Sequence, residues 1–270
     1  MKRFLKTANP NNMFPKKSLG QNFLTNTDIV ASIADAGSLS PKETVLEIGP
    51  GRGILTEELL KRGVNVIAIE KDRELIPVLE EKFKKEIKNK QLTLIYGDIL
   101  ELPTTDYLQP TAHYKLIANI PYYITGQIIR KFLEEKNQPE KMVLLVQKEV
   151  AERIIAKDGK ESLLSISVKV YGEPKFIKIV KAGAFNPAPK VDSAILLIDN
   201  ISNDFFKDIS PERFFEILHA GFAHKRKQLF GNLKSVFKEG ELSKKMKSCE
   251  IKENERAETL KKENWSCLCQ

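Results

Sequence analysis

Residues 44–70, TVLEIGPGRGILTEELLKRGVNVIAIE, decide the fold. TVLEIG (44–49) is a short apolar run that reads as a buried strand. Gly49-Pro50-Gly51-Arg52-Gly53 interrupts it, ILTEELLKRG (54–63) has helical spacing and stops at Gly63, and NVIAIE (65–70) is a second strand. Strand, glycine turn, helix and strand in roughly 30 residues form one βαβ unit of a parallel sheet. Glycines at that turn let the backbone come close to a ligand. Ile54 stands where a nicotinamide-dinucleotide fingerprint would carry its last glycine, and no Gly-Lys-Ser or Gly-Lys-Thr follows. The loop reads Glu-x-Gly-x-Gly-x-Gly, which argues against both dinucleotide binding and nucleotide hydrolysis.

The alternation continues outward. TDIVASIADAG (27–37) is a helix, and DRELIPVLEEKFKKEI (72–87) is another, with Leu75, Val78, Leu79 and Phe83 on one face and Asp72 as its cap. LTLIYGD (92–98) and YKLIAN (114–119) are strands; a helix near 124–136, the run MVLLVQ (142–147) and a helix over 148–156 follow. After Gly172, FIKIV and AILLI (194–198) flank a proline-rich loop at 185–190, which predicts an antiparallel hairpin at one edge of the sheet. From about Ser210 the pattern is helical throughout. The expected organisation is an α/β protein with a basic leader at 1–20, a sheet domain over 21–200 and a small all-helical C-terminal domain over 201–270.

The chain has 270 residues, 41% hydrophobic and 30% charged, the mixture of a soluble globular protein. No apolar run approaches the roughly 18 residues of a membrane span, and the N-terminus lacks the apolar core of a secretory signal, so a cytoplasmic location is expected. The three cysteines, Cys249, Cys267 and Cys269, contain no CxxC pair and are expected as reduced thiols. His113, His219 and His224 lack metal-ligand spacing, so no metal is expected. Net charge is +8, concentrated in Lys2, Arg3, Lys6, Lys16 and Lys17 and again in Lys225-Arg226-Lys227. Two basic blocks suit a phosphate backbone, where each contact releases condensed counterions.

Glu70 ends its strand about 20 residues past the glycine loop, where a doubly wound fold presents a carboxylate to a ribose diol. Asp98, after the next strand, is placed to accept from an adenine exocyclic amine. Together with the loop these acids point to a nucleoside cofactor. The strand over 114–119 then runs into Asn119-Ile120-Pro121-Tyr122. An adenine N6 amine is a poor nucleophile because its lone pair is delocalised into the ring. Acceptors aimed at its two protons localise that pair: the Asn119 side-chain oxygen is one, and the Ile120 carbonyl, held by rigid Pro121, is another. The Tyr122 ring offers a stacking surface for an extruded base, worth about 1–3 kcal/mol.

The ordered set of Ser18-Leu19-Gly20-Gln21-Asn22-Phe23-Leu24, the glycine loop, Glu70-Lys71-Asp72, Gly97-Asp98, Asn119-Ile120-Pro121-Tyr122 and 185–193 resembles the ribosomal RNA adenine N6,N6-dimethyltransferase family. Phe222-Ala223-His224-Lys225-Arg226-Lys227-Gln228-Leu229 is more similar to its small-subunit (16S rRNA, kasugamycin-sensitivity) branch than to the large-subunit (23S) macrolide-resistance branch. DNA adenine methyltransferases usually carry proline where this chain has Ile120. The resemblance implies a Rossmann-like class I methyltransferase fold, a mostly parallel seven-stranded sheet with S-adenosyl-L-methionine as cofactor. Gln21, Asn22, Leu24, Gly49, Gly51, Glu70, Asp98 and Asn119 would contact that cofactor. Asn119, Ile120, Pro121 and Tyr122 would grip the target adenine, with Phe185 closing on its other face. Lys16, Lys17, Lys190, Lys225, Arg226 and Lys227 would contact RNA. The implied partner is 16S rRNA in the small ribosomal subunit, met by a monomer, and the product is N6,N6-dimethyladenosine at two adjacent adenosines of the 3′-terminal hairpin. A non-enzymatic assembly factor on the same fold is the alternative from another class. Residues 264–270, NWSCLCQ, depart from the family pattern.

Overall fold

In chain order the elements of the computed structural model are β1 (Phe23–Leu24), α1 (Thr27–Ala36), β2 (Thr44–Ile48), α2 (Ile54–Lys61), β3 (Asn65–Glu70), α3 (Ile76–Lys82), α4 (Lys84–Lys88), β4 (Leu92–Tyr96), β5 (Tyr114–Asn119), α5 (Thr125–Glu134), β6 (Lys141–Gln147), α6 (Lys148–Ile155), α7 (Leu163–Lys169), β7 (Glu173–Val180), β8 (Phe185–Asn186), β9 (Ser193–Asp199), α8 (Pro211–Phe222), α9 (Leu229–Leu233), α10 (Glu239–Ser248) and α11 (Lys262–Cys269). The structure describes residues 15, 16, 19–109 and 111–270. Lys2, Arg3, Lys6, Lys17 and Ser18, singled out above, lie outside the described residues.

Seven strands form one sheet in the order β4-β3-β2-β5-β6-β9-β7. The pairs from β4 to β6 are parallel, and β9 runs antiparallel to β6 with Gln147 opposite Ser193. This is the mostly parallel sheet with an antiparallel edge that the sequence anticipates. Central strands covered on both faces read as continuous apolar runs: β6 buries every residue from Met142 to Val146. The helices that cover them are amphipathic. In α5, Ile128, Ile129, Phe132 and Leu133 face inward at helical spacing. In α1, the Asn26 side chain caps the first turn by accepting from the Ile29 amide at 3.0 Å.

The connection after β2 runs outward to β3 and β4, then returns to place β5 on the other side of β2. That reversal is a switch point, and open α/β sheets bind ligands there, beyond the carboxyl ends of the strands. β1 stands outside the main sheet and pairs antiparallel with β8, with Phe23 opposite Asn186 and Leu24 opposite Phe185. Among the described residues no helix is long and apolar enough to cross a membrane.

The stretch 72–87 is two short helices that meet at Phe83, and Asp72 caps neither. Its carboxylate is engaged by the N-terminal segment instead.

The chain divides into two compact units, one made of the described residues up to Lys148 with Phe176–Asp199, the other of Glu149–Lys175 with Asn200–Gln270. The sequence reading puts one boundary near residue 200; the chain crosses between the units three times. Within the second unit the rings of Phe206 and Phe215 gather around Tyr171, which ties 149–175 to the helices that follow 200. The divergent C-terminal stretch is built into this unit as α11: Trp265 is fully buried and stacks on Phe222 at 5.5 Å. That docking corrects the reading of the cysteines. Cys249 and Cys267 lie 5.7 Å apart at Cα and are joined in a disulfide, leaving Cys269 as the free thiol.

Candidate active site

A cleft open to solvent lies at the switch point. Parallel strands deliver their carboxyl ends to one side, so features far apart in sequence converge: Gly49 after β2, Glu70 ending β3, Asp98 after β4 and Asn119 ending β5 all line it. Gln21, Asn22, Leu24, Gly51, Ile120, Pro121 and Tyr122 line it as well.

The glycine turn presents bare backbone. Gly49 has φ +66°, and a Cβ there would meet no atom within 4 Å, so the turn leaves room that a side chain would take from a ligand. Gly51 has φ +59° and lets the Phe23 ring come within 3.1 Å of where its Cβ would stand. The Gly51 amide donates to Glu70 Oε2 at 3.0 Å and the Asp72 amide to Glu70 Oε1 at 2.7 Å. Glu70 therefore pins the loop to the end of β3 while each oxygen keeps a further lone pair. Burial raises its pKa above the ordinary value, opposed by those two amides. Burial also works against the charge of Asp98, but Lys71 and the Leu100 amide prevail and hold its pKa below the ordinary aspartate value. A bare glycine turn beside a buried carboxylate with lone pairs to spare and a charged acid fits an adenosyl-bearing cofactor.

Asn119, at the end of β5, lines the cleft as well. Its Nδ2 donates to the Asn22 backbone carbonyl at 3.4 Å, and Oδ1 makes no hydrogen bond among the described residues. Tyr122 is anchored through its hydroxyl to Ser193 of β9 at 2.6 Å, which fixes the ring at the cleft wall. Burial raises the Tyr122 pKa, so the hydroxyl stays neutral.

Other expected residues are placed differently. Phe185 is 4% exposed and belongs to the hydrophobic core with Leu24 and Val180, so its ring is not part of the cleft lining. Pairing of β8 with β1 turns it inward. Gln21 lines the cleft, but both ends of its amide are engaged: Nε2 donates to Asp72 at 2.9 Å and Oε1 accepts from the Lys16 amide at 2.8 Å. Lys16 is ion-paired to Asp72 at 2.7 Å and Glu74 at 3.1 Å. Lys190 is exposed in the first unit; Lys225, Arg226 and Lys227 are exposed in the second, with no ion pair among the described residues.

Sequence reasoning passed over Glu47, Arg52 and Tyr123. Glu47 lines the cleft, is 1% exposed and has one carboxylate oxygen without a partner; burial pushes its pKa up to about 8. Its signal was an acid inside an apolar strand. The Arg52 guanidinium lies 4.7 Å from the Phe23 ring centroid and joins the glycine loop to β1. Tyr123 stands 61% exposed at the cleft.

The family model described as ribosomal RNA adenine dimethylase matches residues 13–270. The chain belongs to that family. As a member of the ribosomal RNA adenine dimethylases it is a methyltransferase acting on ribosomal RNA, and the family's chemistry uses S-adenosylmethionine. The ribosomal RNA small subunit methyltransferase A of Dehalococcoides mccartyi is 44% identical over 257 residues, covering 94% of this chain and 87% of that protein. The solved structure of a dimethyladenosine transferase from Plasmodium falciparum matches with TM-score 0.76 and 27% identity, over 91% of this chain and 95% of that one. The 23S rRNA methyltransferase ErmE matches with TM-score 0.75 and 26% identity, over 92% and 98%.

Proposed function

We propose that this dimethylase transfers two methyl groups to the N6 amine of each of two adjacent adenosines in the 3′-terminal hairpin of 16S rRNA, in the small ribosomal subunit and in the cytoplasm. The observation that carries the chemistry is the Asn119 amide: with Nδ2 committed to the Asn22 carbonyl, Oδ1 is left as an acceptor at the cleft wall. Small-subunit specificity is supported by the 44% identity to the Dehalococcoides mccartyi small-subunit enzyme, against 26% to ErmE.

When bound, S-adenosylmethionine supplies an electrophilic methyl group, and such a transfer needs no Lewis acid. Glu70 would take its ribose hydroxyls, Asp98 its adenine amine, and the backbone at Gly49 and Gly51 with Asn22 and Leu24 would receive the rest. On the other side Asn119 Oδ1 and the Ile120 carbonyl accept from the N6 protons of the target, two before the first transfer and one before the second, and draw its lone pair out of the ring. The proton that N6 loses in each transfer leaves to the solvent of the open cleft. The Tyr122 ring, braced on Ser193, stacks on the extruded base and sets its distance. Because Asn119 does not titrate, this acceptor is present at every physiological pH. The open cleft leaves space for an amine that already carries one methyl group. Lys190, Lys225, Arg226 and Lys227 are exposed cations suited to the phosphate backbone.

The test supplies labelled S-adenosylmethionine with undermethylated 30S and 50S subunits, followed by digestion of the RNA. Dimethyladenosine in the 3′-terminal hairpin of 16S rRNA is expected. Label confined to 23S rRNA would support a large-subunit enzyme, and binding without label an assembly factor; either would overturn the proposal.

A further inference from the structure

Residues 19–24 line the cleft, yet beyond a 3-10 turn at Leu19 they contribute only the two-residue strand β1. What holds them is a set of distant partners. Among these is Asp72, 4% exposed, on the turn after β3. Its Oδ1 accepts from Lys16 Nζ at 2.7 Å and its Oδ2 from Gln21 Nε2 at 2.9 Å. Lys16 and Gln21 are themselves joined, through the Lys16 amide and Gln21 Oε1 at 2.8 Å. The carboxylate thus closes a ring with Lys16, just ahead of the segment, and Gln21 within it, while its own amide donates to Glu70. One residue beyond Gln21, the Asn22 side chain donates to the Gly20 carbonyl at 3.2 Å, and the Asn22 carbonyl receives Asn119 Nδ2.

An amide can present oxygen or nitrogen at the same place, and only its hydrogen-bond partner decides which. Here that partner is a backbone carbonyl, which accepts and never donates. With the Asn22 carbonyl in place, Asn119 keeps its NH2 toward the N-terminal segment and its oxygen for the target. Without it, the rotated amide would aim a donor at an amine that needs an acceptor.

We infer that Asp72 and Lys16 are positioning residues: their contact latches the N-terminal segment so that the Asn22 carbonyl sets the orientation of the Asn119 amide. The inference rests on the reading of Asn119 as acceptor for the target amine. It also gives Lys16 a different task from contact with RNA, and the two tasks predict opposite things of Asp72. If Lys16 served RNA binding, removing the acid beside it would leave binding unchanged or strengthen it. In the latch, removing either partner does the same damage.

The experiment measures kcat, KM for undermethylated small subunits, Kd for S-adenosylmethionine and thermal unfolding for Lys16→Ala, Lys16→Arg, Asp72→Asn and Asn119→Ala, and for Asp72→Asn combined with Asn119→Ala. Lys16, with a side chain 34% exposed, is the change least able to disturb the fold. Lys16→Ala and Asp72→Asn should each lower kcat roughly 10-fold, since small displacements of a reacting group cost that much or more. KM for subunits should stay within about twofold, Lys16→Arg should restore most of kcat, and Asp72→Asn should cost nothing further once Asn119 is alanine. A raised KM with unchanged kcat for Lys16→Ala, or full additivity in the double variant, would overturn the latch. If Asn119→Ala itself turned over like the wild type, the reading beneath it would fall first, and the two failures are told apart by that single variant.

Discussion

Gly49–Gly53 and residues 19–24 line one cleft side by side, and the chain shapes them by different means. The glycine loop takes its form from its own βαβ unit: its positive-φ glycines bend it, and Glu70 at the end of the next strand binds the Gly51 amide. The N-terminal segment has almost no structure of its own and is shaped by Asp72, 51 positions away, and Asn119, 97 positions away. A locally determined element tolerates change elsewhere in the chain. A segment held from a distance transmits such change into the site, which is why it can orient a reactive amide.

Four measurements break or sharpen that contrast. Asn119→Ala, where the distant segment meets the chemistry, should lower methyl transfer on the order of a hundred- to a thousand-fold, as loss of one preorganised group at a reacting centre does. Its Kd for S-adenosylmethionine should stay within a few-fold; a large rise in Kd with normal turnover at saturation would make Asn119 a cofactor ligand only. Glu70→Ala, on the local side, should show the reverse: Kd raised about 10- to 100-fold, equivalent to 1.4–2.7 kcal/mol, with kcat at saturation less affected. Equal loss in both quantities would erase the distinction between the two walls.

In the second unit, Lys225, Arg226 and Lys227 changed together to alanine should weaken RNA binding and reduce the slope of log K against log salt by about 2. An unaltered slope would leave those residues as ordinary surface charge. The smallest effect concerns Glu47. Its pKa of about 8 in the fold lies above the ordinary 4.5, so the folded protein holds a proton that the unfolded chain releases as pH rises through that interval. The stability it contributes is full below about 4.5 and is lost by about 8. Glu47→Gln should flatten this dependence, narrowing the difference in Tm between pH 5.5 and 8.5 by a few °C; parallel Tm curves for the two proteins would contradict it.

The cleft residues legible in the sequence are those whose place follows from strand spacing. Gly49 follows β2, Glu70 ends β3, Asp98 lies just past β4 and Asn119 ends β5, and parallel pairing brings these strand ends together without further information. The facing of Phe185 is not legible in a proline-rich loop without periodicity; its role against the target base is what the resemblance implies, and pairing of β8 with β1 buries its ring in the core. Lys16 looked like part of a basic leader because the acid that claims it lies in another element. The Cys249–Cys267 bridge was invisible for the same reason: only the docking of α11 through Trp265 brings the two together. The split at Phe83 and the return of 149–175 to the helical unit likewise depend on packing rather than on pattern.

The orientation of the Asn119 amide is decided by a crystal structure of the protein with S-adenosylhomocysteine and an adenosine-containing oligonucleotide. The account predicts Asn119 Oδ1 within hydrogen-bond reach of the target N6, Nδ2 still on the Asn22 carbonyl, and the base against the Tyr122 ring. An Asn119 side chain turned away from the base, or an adenine amine met by other acceptors while the Asn22 carbonyl stands empty, would contradict it.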